Sequence, residues 1–340
     1  MARLFTPTRL LIAGVLLLAV AGFVYLKPSN EYLFLPDRAR AVAPYVTIKG
    51  ERNDGDGGGI YYVAVQVERA SLLEKLFPGL REGSTLHPAS DVVAPGETEK
   101  QHQRVELHEM AESQEVAAAV ALRALGRNVV VKSPGTVILA VQPAGPSAGK
   151  ITPGDIVVRV DGRPAPFEND LRRLIRRHKP GDAVVLTVRH DDKVKHITVK
   201  TIADPDLPTR PLIGVQTSCA TQAFTRVSLP VPVRIDLGQV GGPSAGLAFA
   251  LDIAEELGRD VDRGYRVAAT GALCLDGTVI PIGGVKQKTI GAKQAGADVF
   301  IVPAGDNAAE ARRYAGTMRV LPVHSFRQAL RELATLPRKR

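Results

Sequence analysis

The stretch Gly241-Gly242-Pro243-Ser244-Ala245-Gly246 decides how the C-terminal part of this chain folds. An apolar approach over 231–237 leads into it, and a helix follows whose apolar side chains recur at helical spacing up to a stop at Gly258. A serine at the start of such a helix lies beside free backbone N–H groups and the positive end of the helix dipole. Because those groups stabilise the oxyanion of an acyl-transfer reaction, Ser244 is a candidate nucleophile. The alternative is a serine that only caps the helix.

An earlier stretch, Gly145-Pro146-Ser147-Ala148-Gly149, repeats five of these letters and provides an internal control. There the chain continues through 150–155 into a turn and a strand, so no amphipathic helix begins at Ser147. The argument from the helix dipole therefore applies to Ser244 and not to Ser147.

The composition indicates a folded protein with more than one domain. The chain has 340 residues, of which 45% are apolar, and it carries a net charge of +9. The basic residues are spread along the sequence, aromatic residues make up 5% and there is no Trp, so stacking platforms for nucleic acid are poorly supplied. We therefore expect no nucleic-acid partner. The basic cluster in 172–179 is interpreted as the solvated face of one helix.

The N-terminus predicts a membrane anchor. Residues 1–9 form a short tail with Arg3 and Arg9, and residues 10–26 form a 17-residue uncharged apolar run. As a helix this run is about 25 Å long, near the lower limit for crossing a bilayer. A cleavable signal peptide is the alternative, because Ala19-Val20-Ala21 resembles a processing site. The apolar run continues past that site, which favours an uncleaved anchor, while the flanking positive charges do not decide its orientation.

Cysteine and histidine usage predicts no metal site. The only cysteines are Cys219 and Cys274, which could form one disulfide outside the cytoplasm, although nothing in the sequence pairs them. The segment 108–112 approaches the zinc-protease motif H-E-x-x-H, but its fifth residue is Glu112 instead of a second histidine. We expect no metal and no cofactor.

Two regions flank a central unit and are each predicted to mix helices and strands. Residues 28–125 form an N-terminal α+β segment with a strand over 61–67, an irregular loop over 83–104 and a helix over 108–125. From residue 213 onward the chain reads as α/β. The predicted elements there are strands over 267–275 and 278–282 around an Asp-Gly hairpin turn, helices over 286–295 and 307–314, strands over 299–302 and 319–323, and a last helix capped by Ser325 and Gln328.

The central unit, residues 126–204, is predicted to hold short strands and one helix over 169–178. Its run GPSAGKITPGDIVVRVDGRPAPFENDLRRLI, which begins at Gly145, resembles a PDZ domain in the circular order common in bacterial proteases. The resemblance implies a groove that takes an extended peptide by β-augmentation. The best candidate for a carboxylate-binding loop is 125–128, and no binding residues are assigned. A spacer that binds nothing is the alternative.

A serine nucleophile needs a neighbour to take its proton, and two arrangements fit the sequence. The first is an α/β-hydrolase triad, with Asp298 or Asp306 as the acid and His324 as the base. The second is a serine–lysine dyad with Lys286, which lies at a tight turn opening a helix, where burial and the dipole lower a lysine's pKa. The alternative is that Lys286 lies on a solvated helix face and has no catalytic role. The spacing of the residues does not decide between these possibilities.

The two blocks GGPSAGLAFALDI and ATGALCLDGTVIPIGGVKQKTIGAKQAGADVFIVPA together resemble the proteolytic domain of Lon-type serine–lysine proteases. With the apolar N-terminus and the PDZ-like unit, the chain resembles the membrane-anchored, PDZ-containing bacterial branch that has no ATPase domain. The resemblance implies Ser244 as nucleophile and Lys286, 42 positions later, as general base. It also implies that Thr270 holds the lysine, and the backbone of Gly242 and Ser244 is expected to hold the oxyanion.

The expected fold is therefore α+β. The Lon-type domain covers 205–337, the PDZ-like unit is inserted into it, and 28–125 contributes strands to the protease domain. The expected activity is ATP-independent cleavage of extended or unfolded protein segments at the membrane. The segment 145–150 ends in Gly-Lys, but Ala144 and Ile151 stand where a Walker A loop needs Gly and Ser/Thr. The resemblance further implies a ring-like homo-oligomer and an extracytoplasmic catalytic domain.

Two positions depart from the Lon pattern. Gly241 stands where many Lon proteases have Asp, and Ala272 where they have Glu. Because both positions lose a carboxylate, the resemblance does not predict the charge of the pocket. The alternative function, from a different class of protein, is a non-catalytic membrane scaffold that binds peptides through its PDZ domain.

Overall fold

The computed structural model describes residues 7–48, 58–93, 97–191, 193–205, 207–217 and 226–339. Its α-helices are α1 (Pro7–Leu26), α2 (Leu72–Leu76), α3 (Ala89–Val92), α4 (Glu99–Ala124), α5 (Glu168–Ile175), α6 (Gly246–Glu256), α7 (Val285–Gln294), α8 (Asp306–Tyr314) and α9 (Phe326–Ala334). Two 3₁₀ turns cover Ala43–Tyr45 and Pro243–Ala245.

The strands are short and fall into several small sheets and two larger ones. They are β1 (Pro28–Pro36), β2 (Arg40–Ala41), β3 (Val46–Ile48), β4 (Gly59–Tyr62), β5 (Val65–Ser71), β6 (Thr85–Pro88), β7 (Val130–Lys132), β8 (Thr136–Val141), β9 (Ile156–Val160), β10 (Arg163–Pro164), β11 (Ala183–His190), β12 (Lys193–Lys200), β13 (Ile202–Ala203), β14 (Pro211–Leu212), β15 (Val215–Thr217), β16 (Arg226–Ser228), β17 (Val233–Ile235), β18 (Arg266–Ala269), β19 (Ala272–Leu273), β20 (Val279–Ile280), β21 (Val299–Pro303) and β22 (Arg319–Val323).

A five-stranded sheet in the order β2-β4-β18-β21-β22 forms the centre of the part of the molecule that contains Ser244. Its last four strands run parallel, and β2 is an antiparallel edge. Side chains from alternate positions face two separate cores, one shared with α4, α6 and α9 and the other with α7 and α8. A parallel sheet covered by helices on both faces buries its strands, which explains the apolar run Val299–Pro303.

The N-terminal segment completes this sheet. Strand β4 pairs in parallel with β18, which follows it in the chain by some two hundred residues. Helix α4 packs against α6, and its buried residues from Val116 to Leu122 belong to the same core. This core is therefore built from two stretches of chain that flank the PDZ-like unit.

The PDZ unit has its own sheet and its own core. The strand order is β12-β11-β9-β8-β15, and α5 packs its buried leucines Leu171 and Leu174 against it. Strand β15 comes from 215–217, beyond the predicted boundary of the unit at residue 204. Strand β7, predicted as part of the PDZ unit, pairs instead with β16.

Several local predictions differ from the structure. The single strand predicted over 61–67 is two strands, β4 and β5. The predicted loop over 83–104 contains β6, α3 and the first turns of α4. Helix α4 begins at Glu99, and not at residue 108, because Thr98 and Gln101 form a capping box.

The N-terminal helix α1 covers Pro7–Leu26. Among the described residues, no helix combines the length and the apolar character needed to cross a membrane. The predicted span over 10–26 is therefore not supported by the structure.

Candidate active site

Ser244 lies in the 3₁₀ turn Pro243–Ala245, which runs directly into α6. The backbone around it is fixed from two sides. Its carbonyl oxygen accepts the Thr270 Oγ1–H at 3.1 Å and the Gly271 N–H at 2.8 Å. On the other side, buried Ser113 of α4 donates its hydroxyl to the Pro243 carbonyl at 3.0 Å. The serine is therefore half-buried on a rigid turn at a helix N-terminus.

Two glycines make this turn possible. Gly242 has φ +81°, a left-handed conformation that favours glycine. A Cβ atom on Gly246 would lie 2.8 Å from Ser113 Oγ, so a side chain there would displace the helix that supports the turn. The glycine pattern around Ser244 therefore has a geometric cause.

Ser244 lines a cleft of about 1870 Å³. Small-molecule pockets measure roughly 300–1,000 Å³, so this cleft has room for a length of polypeptide. Lys288 of α7 and Glu106 of α4 line the same cleft.

Lys288 is a buried titratable base that lines the cleft with Ser244. Its side chain is 5% exposed, and burial lowers its pKa to about 8, although the nearby Glu106 carboxylate acts in the opposite direction. Among the described residues, no carboxylate lies within ion-pair distance of its Nζ. About a tenth of the amine is therefore neutral at pH 7 and about half at pH 8, and this neutral form is the one that acts as a general base.

Lys286, the base predicted from the sequence, points elsewhere. Its Nζ donates to the Ser84 carbonyl at 3.0 Å and lies 5.8 Å from the centre of the Tyr314 ring. Lys286 is not among the residues that line the cleft with Ser244. The structure therefore brings Lys288, and not Lys286, into the cleft that contains Ser244.

Helical spacing explains the difference between the two lysines. Buried positions of α7 include Val285, Lys288, Thr289 and Ala292, which recur at intervals of three and four. Lys288 belongs to this apolar stripe, whereas Lys286 lies one position beyond its first member. The sequence contains this helical pattern. The resemblance of the GGVKQK segment to Lon proteases, however, applies to both lysines and does not show which of them faces Ser244.

Thr270 and Gly242 make hydrogen bonds other than those expected from the resemblance. Thr270 Oγ1 bonds the Ser244 carbonyl instead of a lysine. The Gly242 N–H, predicted as an oxyanion donor, donates to the Glu106 carbonyl at 2.9 Å. The remaining candidate donors are the N–H groups of Ser244 and Ala245, because the first N–H groups of a helix have no acceptor within it.

The hydrolase triad is not assembled. His324 is exposed and does not line the cleft, and its backbone N–H donates to Gln328 Oε1. Asp298 accepts from the Arg266 N–H and from Lys339. Asp306 starts helix α8 and is also outside the cleft. That alternative is wrong for this fold.

One wall of the cleft is acidic. Glu106, Glu109 and Glu112 are spaced three residues apart on α4, and all three line the cleft. Partial burial raises the pKa of Glu109 and of Glu112, and neighbouring glutamates add to the effect. His108, from the zinc-like segment, lies 3.6 Å from Glu112 and forms a simple i,i+4 pair with it.

The one group of three acidic side chains that could hold a metal within the described residues lies away from the cleft. It consists of Glu255, Asp260 and Asp262. Glu255 accepts the backbone N–H groups of Val261 and Asp262, and Asp260 accepts from Arg338 at 2.9 Å. These carboxylates therefore serve the loop after α6.

Comparison with known proteins agrees with this architecture. The sequence model of the Lon protease (S16) C-terminal proteolytic domain matches residues 219–333, and that of the PDZ domain matches residues 123–201. Residues 219–333 are therefore a Lon-type proteolytic domain, and residues 123–201 belong to a PDZ domain.

Curated relatives match limited stretches of this chain. Lon protease 1 of Sorangium cellulosum is 42% identical over 81 residues, which are 23% of this chain and 10% of that protein. Lon protease 2 of Bacillus subtilis is 36% identical over 98 residues, 29% of this chain and 17% of that protein. The chain thus spans less than a fifth of the length of these relatives. Among solved structures, the PDZ domain of the SdrC-like protein from Listeria monocytogenes is 25% identical, with a TM-score of 0.24, and covers 25% of this chain and 90% of that one.

Proposed function

We propose that this protein is a serine endopeptidase in which Ser244 is the nucleophile and Lys288 the general base. The observation that carries the proposal is the shared cleft. A buried lysine whose pKa is lowered to about 8 lines the same cleft as a serine at a helix N-terminus, within a Lon-type domain. Neither residue needs a third catalytic side chain for this chemistry.

The reaction follows from these positions. Neutral Lys288 takes the proton of the Ser244 hydroxyl while the Ser244 oxygen attacks the peptide carbonyl. The resulting ammonium then gives its proton to the leaving amine, and an acyl-enzyme forms. Water, activated by the same lysine, releases the acyl group as a carboxylate and regenerates the serine. The N–H groups of Ser244 and Ala245 stabilise the oxyanion.

Cleavage by this chain is proposed to need no ATP and to act on extended or unfolded segments. The segment 145–150 folds as a turn whose Ser147 hydroxyl donates to the Ile213 carbonyl at 2.6 Å, so it serves the PDZ core instead of a phosphate. A cleft without a coupled unfolding step admits only chains that are already extended.

We propose an extracytoplasmic location of the catalytic domain because one of its cysteines is in a disulfide bond. Cys274 is disulfide-bonded, and Cys219, the only other cysteine of the chain, lies outside the described residues. Disulfides persist in oxidising compartments. Anchoring at a membrane through 10–26 and a ring-like homo-oligomer rest on the sequence alone, and fractionation of cells and light scattering of the purified chain test them.

The test of the proposed function uses the full chain, an unfolded protein substrate and no nucleotide. We expect Ser244→Ala to abolish cleavage and Lys288→Met to reduce it by about 10³-fold, because methionine keeps the volume but not the base. Lys286→Met is the matched control and should retain most of the activity. Loss of activity with Lys286→Met but not with Lys288→Met would contradict the assignment. If the wild-type protein binds peptides but cleaves none of them, the result would favour the alternative function, a non-catalytic peptide-binding scaffold.

A further inference from the structure

The chain after α2 forms an exposed apolar tip, which we define as residues 76–80, Leu76-Phe77-Pro78-Gly79-Leu80. Its three large side chains are more than half exposed: Leu76 is 67% exposed, Phe77 59% and Leu80 56%. The tip belongs to none of the hydrophobic cores that the described residues form. Apolar side chains grouped on a surface in this way mark contacts with another molecule or with a membrane.

The charged residues beside the tip are bound to the body of the protein. Lys75 Nζ lies 2.9 Å from Glu31 Oε1 of β1. Arg81 Nη1 lies 2.8 Å from Glu68 Oε2 of β5. These ion pairs leave the five residues between Lys75 and Arg81 as an uncharged projection. Such a projection suits the acyl chains of a lipid bilayer, where a charged side chain is costly to place.

The tip lies beside the C-terminal end of α1. Helix α2, which leads into the tip, packs against α1, and the Leu72 N–H at the start of α2 donates to the Lys27 carbonyl at 2.9 Å. The same end of α1 exposes Phe23 and Tyr25, and Lys27 Nζ lies 5.6 Å from the centre of the Phe23 ring. A tyrosine followed by a lysine is typical of the level at which an apolar helix meets lipid headgroups.

Helix α1 exposes apolar side chains on opposite faces. Leu16 and Tyr25 are both exposed, and they lie about two and a half turns apart at 3.6 residues per turn, which places them on opposite sides of the helix. A single partner helix covers a stripe on one face only. Lipid, in contrast, covers every face at once. The apolar surface made by α1 and the tip therefore fits a bilayer better than a second copy of the chain.

We propose that the tip is a second membrane contact, in which Leu76, Phe77 and Leu80 enter the apolar boundary of a lipid bilayer beside the end of α1. The inference rests on the proposed anchoring through 10–26 and does not rest on the proposed cleavage. It requires entry into the acyl chains and not a crossing of them. Interfacial apolar side chains of this kind are buried about 5–10 Å into the boundary between headgroups and acyl chains.

Both flanks of the tip are joined to the catalytic cleft. On one flank, Val67 of β5 lines the cleft, and it is about 13 Å along the extended strand from Ser71, where α2 begins. On the other flank, the Gly83 carbonyl accepts from Gln287 Nε2 at 3.1 Å, and Gln287 directly precedes Lys288 on α7. A tip bound to lipid therefore holds the cleft close to the bilayer surface.

The first experiment uses tryptophan fluorescence, because the chain has no Trp and one substitution introduces a single reporter. The full chain with Phe77→Trp, or with Leu80→Trp as a second reporter, is reconstituted in vesicles of phosphatidylcholine and phosphatidylglycerol that have plain or brominated acyl chains. We expect the bromine atoms to lower the emission at either position about twofold or more, because the indole lies at the acyl-chain boundary. Leu207→Trp, at an exposed leucine between β13 and β14, is the matched control and should keep its emission.

Phe23→Trp distinguishes this inference from the anchoring on which it rests. Quenching at position 23 without quenching at 77 or 80 would overturn the tip contact and leave the anchor. Absence of quenching at all three positions would overturn both. Equal quenching at position 207 would show that the effect is not a property of the tip, which also rejects the proposal. Blue-shifted emission at 77 that bromine does not lower would instead assign the tip to a contact with a second copy of the chain.

A second experiment places a charge on the tip. Leu80→Asp, combined with Phe77→Trp in the full chain, should reduce the bromine quenching at position 77 to the level of Leu207→Trp, because a carboxylate resists entry into the acyl chains. Leu207→Asp combined with Phe77→Trp is the control and should leave the quenching at position 77 unchanged. Quenching that persists in full with Leu80→Asp would contradict the lipid contact.

Discussion

At the residue scale, the lysine in the cleft makes activity depend on pH in a defined direction. Burial holds the pKa of Lys288 at about 8, below the ordinary value of 10.5. The neutral amine is the active form, so kcat/KM should rise with pH through about 8 and then level off. A pH profile with a short peptide substrate measures this directly. A flat profile between pH 6 and 9 would remove Lys288 as the base.

Glu106 provides a matched variant for that profile. Its carboxylate favours the charged form of Lys288, whereas its carbonyl, which accepts from the Gly242 N–H, is untouched by a side-chain change. Glu106→Gln should therefore move the ascending limb toward lower pH without disturbing the turn at Ser244. A shift toward higher pH would contradict the electrostatic role of Glu106.

A close contact with Glu106 explains Gly241, the first departure from the Lon pattern. A Cβ atom there would lie 2.7 Å from the Glu106 Cβ and 3.0 Å from Glu106 Oε2. A side chain at position 241 would therefore collide with Glu106, so in this chain helix α4 supplies the carboxylate beside the nucleophile turn.

At the element scale, helix α4 gives the cleft its charge. Glu109→Gln and Glu112→Gln should each lower kcat/KM about two- to fivefold for peptides with Lys or Arg near the cut, since partly exposed charge pairs are worth up to about 1 kcal/mol. Peptides with neutral residues should be cleaved at unchanged rates. The control is Glu115→Gln, which removes a charge from the same helix outside the cleft.

The same comparison decides whether the acidic wall selects substrates. Equal losses for basic and neutral peptides would mean that the two glutamates support the structure instead of choosing side chains. Adding salt should reduce the preference in wild type, because exposed charges are screened.

Individual elements also show how far the sequence predicts this site. The strand–turn–helix around Ser244 and the hairpin at Asp276-Gly277 follow from local chemistry, and the structure has both. The choice between Lys286 and Lys288 depends on which face of α7 is buried, and a pattern of alternating lysines hides that face. The acceptor of the Gly242 N–H could not be predicted, because Glu106 is remote in sequence and meets the turn only through packing.

At the scale of the whole molecule, chain order and spatial order differ. The PDZ unit draws its edge strand from 215–217, and the protease core draws β4 and α4 from before the PDZ unit. Local patterns predict these elements, but long-range strand pairing leaves no trace in a single sequence. The cleft is therefore lined by segments that span most of the chain.

This organisation predicts which fragments fold alone. A fragment of residues 133–217 contains all five main strands of the PDZ sheet, α5 and the separate PDZ core, so it should unfold cooperatively in urea when followed by circular dichroism. A fragment of residues 226–339 should stay unfolded, because it lacks β4, which lies between β2 and β18, and the buried face of α4. Adding a fragment of residues 28–132 should restore its structure, and cooperative folding of 226–339 alone would show that the N-terminal segment is an accessory and not part of the core.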